Sequence, residues 1–79
     1  MMAKARRKRA GFAICVKNDG YEASLERRKI YEVLNDSDAA AHQQVRIIDE
    51  SGEDYLFPAE FFVSIELPKR TERAVIEAA

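Results

Sequence analysis

A proline interrupts the most apolar part of this 79-residue chain. The segment GEDYLFPAEFFVSIEL, residues 52–67, places one short apolar run before Pro58 and a second almost directly after it. Because proline has no amide hydrogen to give to a β-ladder, the first run must stop pairing there. The next three residues are enough for one 3₁₀ turn. The segment therefore predicts two short strands, at residues 54–58 and 62–67, joined by a tight corner.

Short apolar segments bounded by turn-forming residues recur earlier in the chain. Clusters of β-branched and aromatic residues predict strands at residues 12–17, 29–34 and 45–50. A helix over residues 23–34 is an alternative for the second of these, because glutamate, leucine, arginine and lysine favour helices. We prefer the strand, because isoleucine, tyrosine and valine cluster there. Ser51 and Gly52 predict a hairpin turn, since glycine adopts left-handed backbone geometry without strain.

The segments between and after these strands are polar or helix-forming. Residues 18–28 are expected to form an irregular loop. Residues 35–44 combine helix-capping residues with alanines and predict a short helical turn or a loop. The C-terminal segment KRTERAVIEAA is expected to form a brief helix from Thr71 or to fray.

The length of the chain limits it to one small domain. Five short strands within residues 12–67 are too few for a two-sheet sandwich, but they can curl into a barrel that removes its exposed edges. We therefore predict an all-β fold, a small five-stranded barrel at residues 12–68. A flexible basic arm, residues 1–11, would precede the barrel, and a C-terminal tail or short helix, residues 69–79, would follow it.

The order of features around the proline resembles the closing half of an SH3-type barrel. In that family a hairpin leads to a proline, a single 3₁₀ turn and a short last strand. The residues that follow this order here are Gly52, Phe57, Pro58, Ala59, Glu60, Phe61 and Phe62. The resemblance covers about residues 12–67 and implies an SH3-like barrel. The chain as a whole also resembles short bacterial proteins of this barrel type that have no assigned role.

Several residues of this chain differ from the SH3 family at the positions that bind its peptide ligand. Peptide-binding SH3 domains hold polyproline segments on an aromatic groove that includes a tryptophan at the start of the third strand. This chain has no tryptophan, and Val45 or Arg46 stands near that place. Phe61 stands where the family offers a tyrosine hydroxyl. These differences argue against a polyproline ligand.

Aromatic side chains are the largest source of potential binding energy in the chain. Phe61 and Phe62 are neighbours that face opposite ways in regular strand geometry, so one of them is expected to be exposed with Tyr55 and Pro58. An exposed apolar patch often marks a partner site, and acidic side chains of the 18–28 loop would steer a basic partner towards it. The predicted protein-binding residues are Tyr21, Glu22, Glu26, Tyr55, Pro58 and Phe61. The sequence thus favours a non-catalytic protein-interaction module.

The charge distribution supports an alternative function. The net charge is only −1, but residues 1–11 carry five basic residues and no acid, whereas residues 12–68 carry five basic residues and twelve acids. A basic arm binds nucleic acid without sequence preference by releasing counterions. The alternative is an RNA- or ribosome-associated accessory protein. Its predicted contact residues are Arg6, Arg7, Lys8 and Arg9.

No pattern in the sequence favours an enzyme, a metal or a cofactor. His42 is the only histidine and Cys15 the only cysteine, and no metal-ligand spacing connects them. The three glycines are too far apart to form a phosphate-binding loop. The acidic segment DESGED, residues 49–54, is too short for a calcium loop and is typical of a hairpin turn. A single cysteine and the lack of a long apolar run predict a cytoplasmic protein without a membrane segment.

Overall fold

A computed structural model describes residues 7–78 of the chain. The described part contains five strands, two helices and one 3₁₀ turn. Their bounds are β1 Arg9–Cys15, β2 Ile30–Leu34, α1 Ser37–Ala41, β3 Gln44–Ile48, β4 Asp54–Pro58, the 3₁₀ turn Ala59–Phe61, β5 Phe62–Ile65 and α2 Lys69–Ala78. The mainly β body and its five strands confirm that part of the sequence prediction. The second strand is a strand and not the alternative helix, and the C-terminal segment is helical.

The five strands form one antiparallel sheet in the order β4-β3-β2-β1-β5. The two edge strands, β4 and β5, are joined by only the three residues of the 3₁₀ turn. Because so short a connection cannot cross a flat sheet, the sheet must curl until its edges come close together. No ladder joins β4 to β5 within residues 7–78, so the described sheet is open along that seam.

The 3₁₀ turn ties the two edges to the middle of the molecule. The amide nitrogen of Ala59 donates to the carbonyl of Gln43 at 3.0 Å, directly beyond the end of the β3–β4 ladder. The carbonyl of Phe61 accepts from the amide nitrogen of Val16 at 2.8 Å, just past β1. The corner predicted at Pro58 is therefore the point where the chain passes from one edge strand to the other.

The hydrophobic core lies on the inner side of this curl. Its buried residues are Cys15, Leu25, Tyr31, Ile47, Phe57 and Phe61. Leu25 belongs to the loop between β1 and β2, yet it is fully buried. The prediction that placed Phe61 on an exposed surface is wrong, because the ring is only 8% exposed and packs in this cluster. The 3₁₀ turn breaks the simple strand alternation on which that prediction depended.

The first strand begins earlier than the sequence indicates. β1 starts at Arg9, so the last three residues of the predicted 1–11 arm belong to the sheet. The carbonyl of Lys8 also accepts a hydrogen bond from the amide nitrogen of Asn35 at 2.8 Å. Backbone pairing with β2 therefore orders residues that composition alone assigned to a flexible arm. Arg6 lies outside the described residues.

The second helix also begins earlier than expected, at Lys69 rather than Thr71. Proline favours the start of a helix, because its fixed φ suits helical geometry and its missing donor has no helical partner there. The amide nitrogen of Glu72 donates to the carbonyl of Pro68 at 2.9 Å and closes the first turn. Neither helix of the described chain has the length and apolar character needed to cross a bilayer.

A candidate protein-binding site

The loop between β1 and β2, residues 16–29, places an aromatic ring above the core. A turn at Gly20, whose φ of +83° suits glycine, lets the amide nitrogen of Tyr21 donate to the carbonyl of Asn18 at 2.8 Å. The Asn18 side chain then donates to the carbonyl of Leu25 at 3.0 Å. Burial of Leu25 anchors the loop, and these bonds fix Tyr21 at its tip. We call residues 16–29 the first loop.

The ring of Tyr21 packs edge-on against two core phenylalanines. Its centroid lies 5.2 Å from the ring of Phe57 at an interplanar angle of 78°, and 5.9 Å from that of Phe61 at 74°. Edge-to-face pairs of this kind contribute about 0.5–1.5 kcal/mol beyond the area that they bury. Tyr21 nevertheless remains 39% exposed. Its inner edge stabilises the fold, and its outer part is available to a partner.

Tyr21 forms one wall of an open pocket of about 400 Å³. The lining residues are Tyr21, Ser24, Asp49, Ser51, Tyr55, Leu56 and Phe57. Phe57 is buried, whereas Tyr55 is 51% exposed and Leu56 37% exposed. We call this the tyrosine pocket. The structure thus brings together two residues, Tyr21 and Tyr55, that the sequence analysis assigned to one surface.

The hairpin turn between β3 and β4, residues 49–53, forms the polar end of the pocket. The carboxylate of Asp49 accepts from the amide nitrogen of Ser51 at 2.8 Å and from its hydroxyl at 2.5 Å. Asp49 is 8% exposed, and its carboxylate is held by these two contacts within the turn. The interpretation of DESGED as a hairpin turn is confirmed. The side chain of Glu53 is exposed at the tip of the same turn.

A polar network connects the first loop to this hairpin turn. The carboxylate of Glu50 lies 2.7 Å from the Lys29 ammonium and accepts from the Tyr31 hydroxyl at 2.5 Å. The same hydroxyl accepts from the amide nitrogen of Glu26 at 2.8 Å, and the amide nitrogen of Glu50 donates to the carbonyl of Ser24 at 3.1 Å. Two walls of the tyrosine pocket are therefore held at a fixed separation. The sequence gives no sign of this network, because its members are far apart in the chain.

The contacts within the network shift the pKa values of its members. The hydrogen bond from Lys29, followed by that from Tyr31, holds the pKa of Glu50 below its usual value. Burial and the hydrogen bond to Glu50 raise the pKa of Tyr31. The hydrogen bond to Glu50 raises the pKa of Lys29, although burial opposes this shift. At neutral pH the network consists of a carboxylate, an ammonium and a neutral phenol, the states that these contacts require.

The other predicted protein-binding residues lie away from the lining of the pocket. Glu22 accepts from the amide nitrogen of Gly20 at 3.3 Å, and both the Glu22 and Glu26 side chains are exposed. The Glu26 carboxylate lies 3.7 Å from Lys29, on the side of the loop that faces the polar network. Pro58 is half-buried at the end of β4. Of the six predicted residues, only Tyr21 and Tyr55 line the pocket.

The basic residues at the start of the described chain contact acids of the body. The Arg9 guanidinium lies 2.8 Å from the Glu32 carboxylate and 5.5 Å from the centre of the Phe12 ring. The Arg7 guanidinium lies 3.9 Å from Asp36. Lys8 is exposed. Two of the four residues predicted to contact nucleic acid therefore have part of their charge neutralised within the domain.

The residues considered for catalysis occupy unrelated environments. The Cys15 side chain is fully buried, and burial raises the pKa of its thiol, whereas a nucleophilic thiolate needs a lowered pKa. Its sulfur contacts the carbonyl of Lys17 at 3.1 Å. His42 is exposed after α1, where its ring nitrogen Nδ1 lies 2.8 Å from the carbonyl of Asp38. Each contact serves the local fold.

A larger pocket, of about 650 Å³, lies between the sheet and α2. Phe12, Ile30 and Ile48 line it from the sheet side, and Val75 and Ala78 line it from the helix. None of the residues predicted to bind a partner contributes to it. This pocket is not predictable from the sequence, because nothing in the spacing of α2 residues indicates which part of the sheet lies beside the helix.

Comparison of the whole chain with protein-family models, with curated proteins and with solved structures gave no match.

Proposed function

We propose that this chain is a non-catalytic, SH3-like interaction module that binds another protein at the tyrosine pocket. The barrel part of the proposal is supported by the passage from a hairpin through Pro58 and a 3₁₀ turn to the last strand. It is further supported by the curl that this short connection imposes on the sheet. A cytoplasmic location belongs to the proposal, because the lone cysteine, Cys15, cannot form an intramolecular disulfide.

The observation that carries the binding part is the exposure of two tyrosines around one pocket with a phenylalanine floor. Tyr21 and Tyr55 are 39% and 51% exposed, and Phe57 between them is buried. Tyrosine is enriched among residues that dominate interface energies, since its large rigid ring loses little entropy on binding. An apolar side chain of the partner would insert between the rings. The exposed carboxylates of Glu22 and Glu53 would attract a basic residue beside it.

The alternative, an RNA- or ribosome-associated accessory protein, has weaker support. It depends on Arg6, Arg7, Lys8 and Arg9. Arg7 and Arg9 each lie within 4 Å of a carboxylate of the body, at 3.9 Å and 2.8 Å. Releasing these guanidinium groups to phosphates would break contacts that the domain already makes. The acidic residues of the body would also repel a phosphate backbone.

Affinity capture from a lysate of the source cell tests the binding function. The parent chain is compared with Tyr55→Ala and with Val63→Ala, which removes a 52% exposed apolar side chain from β5 at the opposite edge of the sheet. We expect one protein to be captured by the parent and by Val63→Ala, and at least tenfold less by Tyr55→Ala. Equal capture by both variants would show that the tyrosine pocket is not the binding site.

Substitution of Arg6, Arg7, Lys8 and Arg9 by alanine, combined with nuclease treatment, separates the two functions. The substitutions keep the backbone of β1, so its pairing with β2 can be retained. Capture that survives both treatments supports protein binding by the domain. Capture that is abolished by either treatment, and that falls steeply with salt concentration, supports the nucleic-acid alternative.

A further inference from the structure

We infer that the partner binds as an extended peptide segment that adds a strand to the free edge of β4, in the tyrosine pocket. The inference rests on the proposed function and specifies how the partner is held. The recognised chemistry is a short peptide in β-conformation, with apolar side chains towards the tyrosines and a basic side chain towards the acidic rim. Such strand addition takes affinity from backbone hydrogen bonds and specificity from alternate side chains.

The lining of the pocket shows that it runs along the edge of β4. Tyr55, Leu56 and Phe57 are consecutive residues of β4. Because β4 is an edge strand, the pocket borders a strand whose side facing away from β3 has no partner strand among residues 7–78. The opposite wall is formed by Tyr21 and Ser24 of the first loop. The result is a cleft between a sheet edge and a loop.

The register identifies which backbone groups face this cleft. Hydrogen bonds just outside the β3–β4 ladder join Asp49 to Glu53 and Ala59 to Gln43. The intervening register is continuous, so the hydrogen-bonded pairs between them include Tyr55 with Ile47 and Phe57 with Val45. Residues of β4 that alternate with Tyr55 and Phe57 point their backbone groups outward. Asp54 and Leu56 therefore present both an amide hydrogen and a carbonyl to the cleft, and Pro58 presents a carbonyl alone.

These outward groups match an incoming strand and not a second folded copy. Among residues 7–78, no backbone hydrogen bond outside the β3–β4 ladder reaches the Leu56 amide. A peptide would add a single strand beside β4, on the side of the first loop. A second copy would bring its own β3 behind its β4, and would therefore place two added strands on the side of Tyr21 and Ser24. The cleft therefore suits a single extended segment.

Charge around the cleft specifies the side chains of that segment. Glu53 in the hairpin turn and Glu22, which follows Tyr21 on the first loop, are exposed acids. Among residues 7–78, no ion pair within 4 Å involves either carboxylate, whereas Lys29 is paired with Glu50 at 2.7 Å and Arg46 with Asp54 at 3.1 Å. An incoming lysine or arginine would thus meet carboxylates that are free to pair with it. An acidic segment would be repelled.

The test uses the full chain, labelled with ¹⁵N, and a short capped peptide of alternating valine and lysine as the probe. One control peptide replaces each lysine with glutamate, and another carries N-methyl groups on alternate residues, which block strand pairing without removing side chains. Amide hydrogen exchange of Leu56 and Tyr55 is the structural readout. In the free protein, we expect the Leu56 amide to exchange much faster than the Tyr55 amide, which pairs with β3. The valine–lysine peptide should slow the exchange of Leu56.

Two variants distinguish the contribution of the β4 backbone edge to peptide binding from that of the pocket side chains. Leu56→Pro removes the outward amide hydrogen, which is a change that edge strands tolerate. Ser64→Pro is the matched control, because the hydrogen bond from Val16 to Phe61 and the β1–β5 register place the Ser64 amide on the outer edge of β5. We expect about tenfold weaker peptide binding by Leu56→Pro and no change by Ser64→Pro. Near-identical circular dichroism spectra would establish that both variants fold.

The outcomes distinguish failure of the inference from failure of the proposed function. If the peptide shifts Tyr21 and Tyr55 resonances but binding is unaffected by N-methylation and by Leu56→Pro, the pocket binds peptide without strand addition and the inference is wrong. If no peptide perturbs the pocket, and Tyr55→Ala captures the same proteins as the parent, the proposed function fails as well. Concentration-dependent protection of Leu56 without peptide would assign the edge to a second copy and overturn the inference.

Discussion

The hydroxyl of Tyr31 controls how firmly the first loop is attached to the domain. It accepts a hydrogen bond from the amide nitrogen of Glu26 at 2.8 Å and donates one to the carboxylate of Glu50 at 2.5 Å. Because Tyr31 is only 4% exposed, water cannot freely replace the lost oxygen in a Tyr31→Phe variant. The substitution should therefore destabilise the protein through two broken bonds, with little change in packing.

The size of the effect follows from the kind of bond that is lost. A hydrogen bond to a charged group contributes about 1.5–3 kcal/mol, and a bond between neutral groups contributes about 1 kcal/mol. Phenylalanine regains part of this sum, since it avoids the desolvation of a hydroxyl. We expect the free energy of unfolding to fall by about 2–3 kcal/mol, a large share of the roughly 4–12 kcal/mol typical of a chain of this length.

Urea unfolding of Tyr31→Phe and Tyr55→Phe measures this effect with a matched control. Both variants lose one phenol oxygen, but Tyr55 is 51% exposed, so its substitution should change the free energy of unfolding by less than about 0.5 kcal/mol. If the two variants are equally stable, the Tyr31 hydroxyl does not hold the loop, and the reasoning is refuted.

The same variant has a signature in the pH dependence of stability. The pKa of Glu50 is lowered in the folded state, first by Lys29 and then by Tyr31, from an ordinary value of 4.5. A lowered folded pKa gives stability that is present above pH 4.5 and lost as the pH falls through the folded value. Tyr31→Phe removes part of that shift. The parent should therefore lose more stability than the variant between neutral pH and about pH 3, and equal losses would contradict the assignment.

Three further substitutions test other parts of the structure. Leu25→Ala should lower the free energy of unfolding, measured in urea, by about 2–5 kcal/mol, because the side chain is fully buried. A loss below about 1 kcal/mol would mean that Leu25 does not anchor the first loop. Gly52→Ala should cost about 1 kcal/mol or more in thermal unfolding, because its φ is +85°, although no atom crowds the added carbon; an unchanged melting temperature would contradict the left-handed turn. Arg9→Ala should lower the free energy of unfolding by less than about 1 kcal/mol at low salt, and by still less at high salt, since exposed ion pairs contribute little to stability. A larger loss would show that the contact with Glu32, rather than backbone pairing, holds the start of β1.

Local chemistry was enough to predict the elements of the fold. Pro58 and the three residues after it specify the corner, and Gly52 specifies the hairpin turn, because each depends on the backbone preferences of a few adjacent residues. The strand bounds at β4 and the 3₁₀ turn match the prediction. The start of β1 was missed by three residues, because composition shows a basic segment but not the pairing with β2 that orders it.

The candidate site depends on longer-range geometry, so the sequence predicted it only in part. Tyr21 and Tyr55 were identified from their size and chemistry, and they do line one pocket. Leu56 was missed, because its outward backbone groups are left without a partner strand only when β4 is an edge strand, and strand order cannot be predicted from the hydrophobic pattern. Phe61 was assigned to the wrong environment for a related reason: the 3₁₀ turn rotates its ring into the core.

The position of β5 constrains how the chain acquires its structure during synthesis. Among residues 7–78, β5 pairs with β1 alone, and the register sets Ile65 opposite Phe12, so the fifth strand of the sheet pairs with the first. The β3–β4 hairpin can form from neighbouring residues, whereas this contact must wait until all five strands have been made. Until then β1 has an unpaired edge, and the core lacks Phe61. A nascent or truncated chain that ends before β5 would expose that edge and favour aggregation over folding.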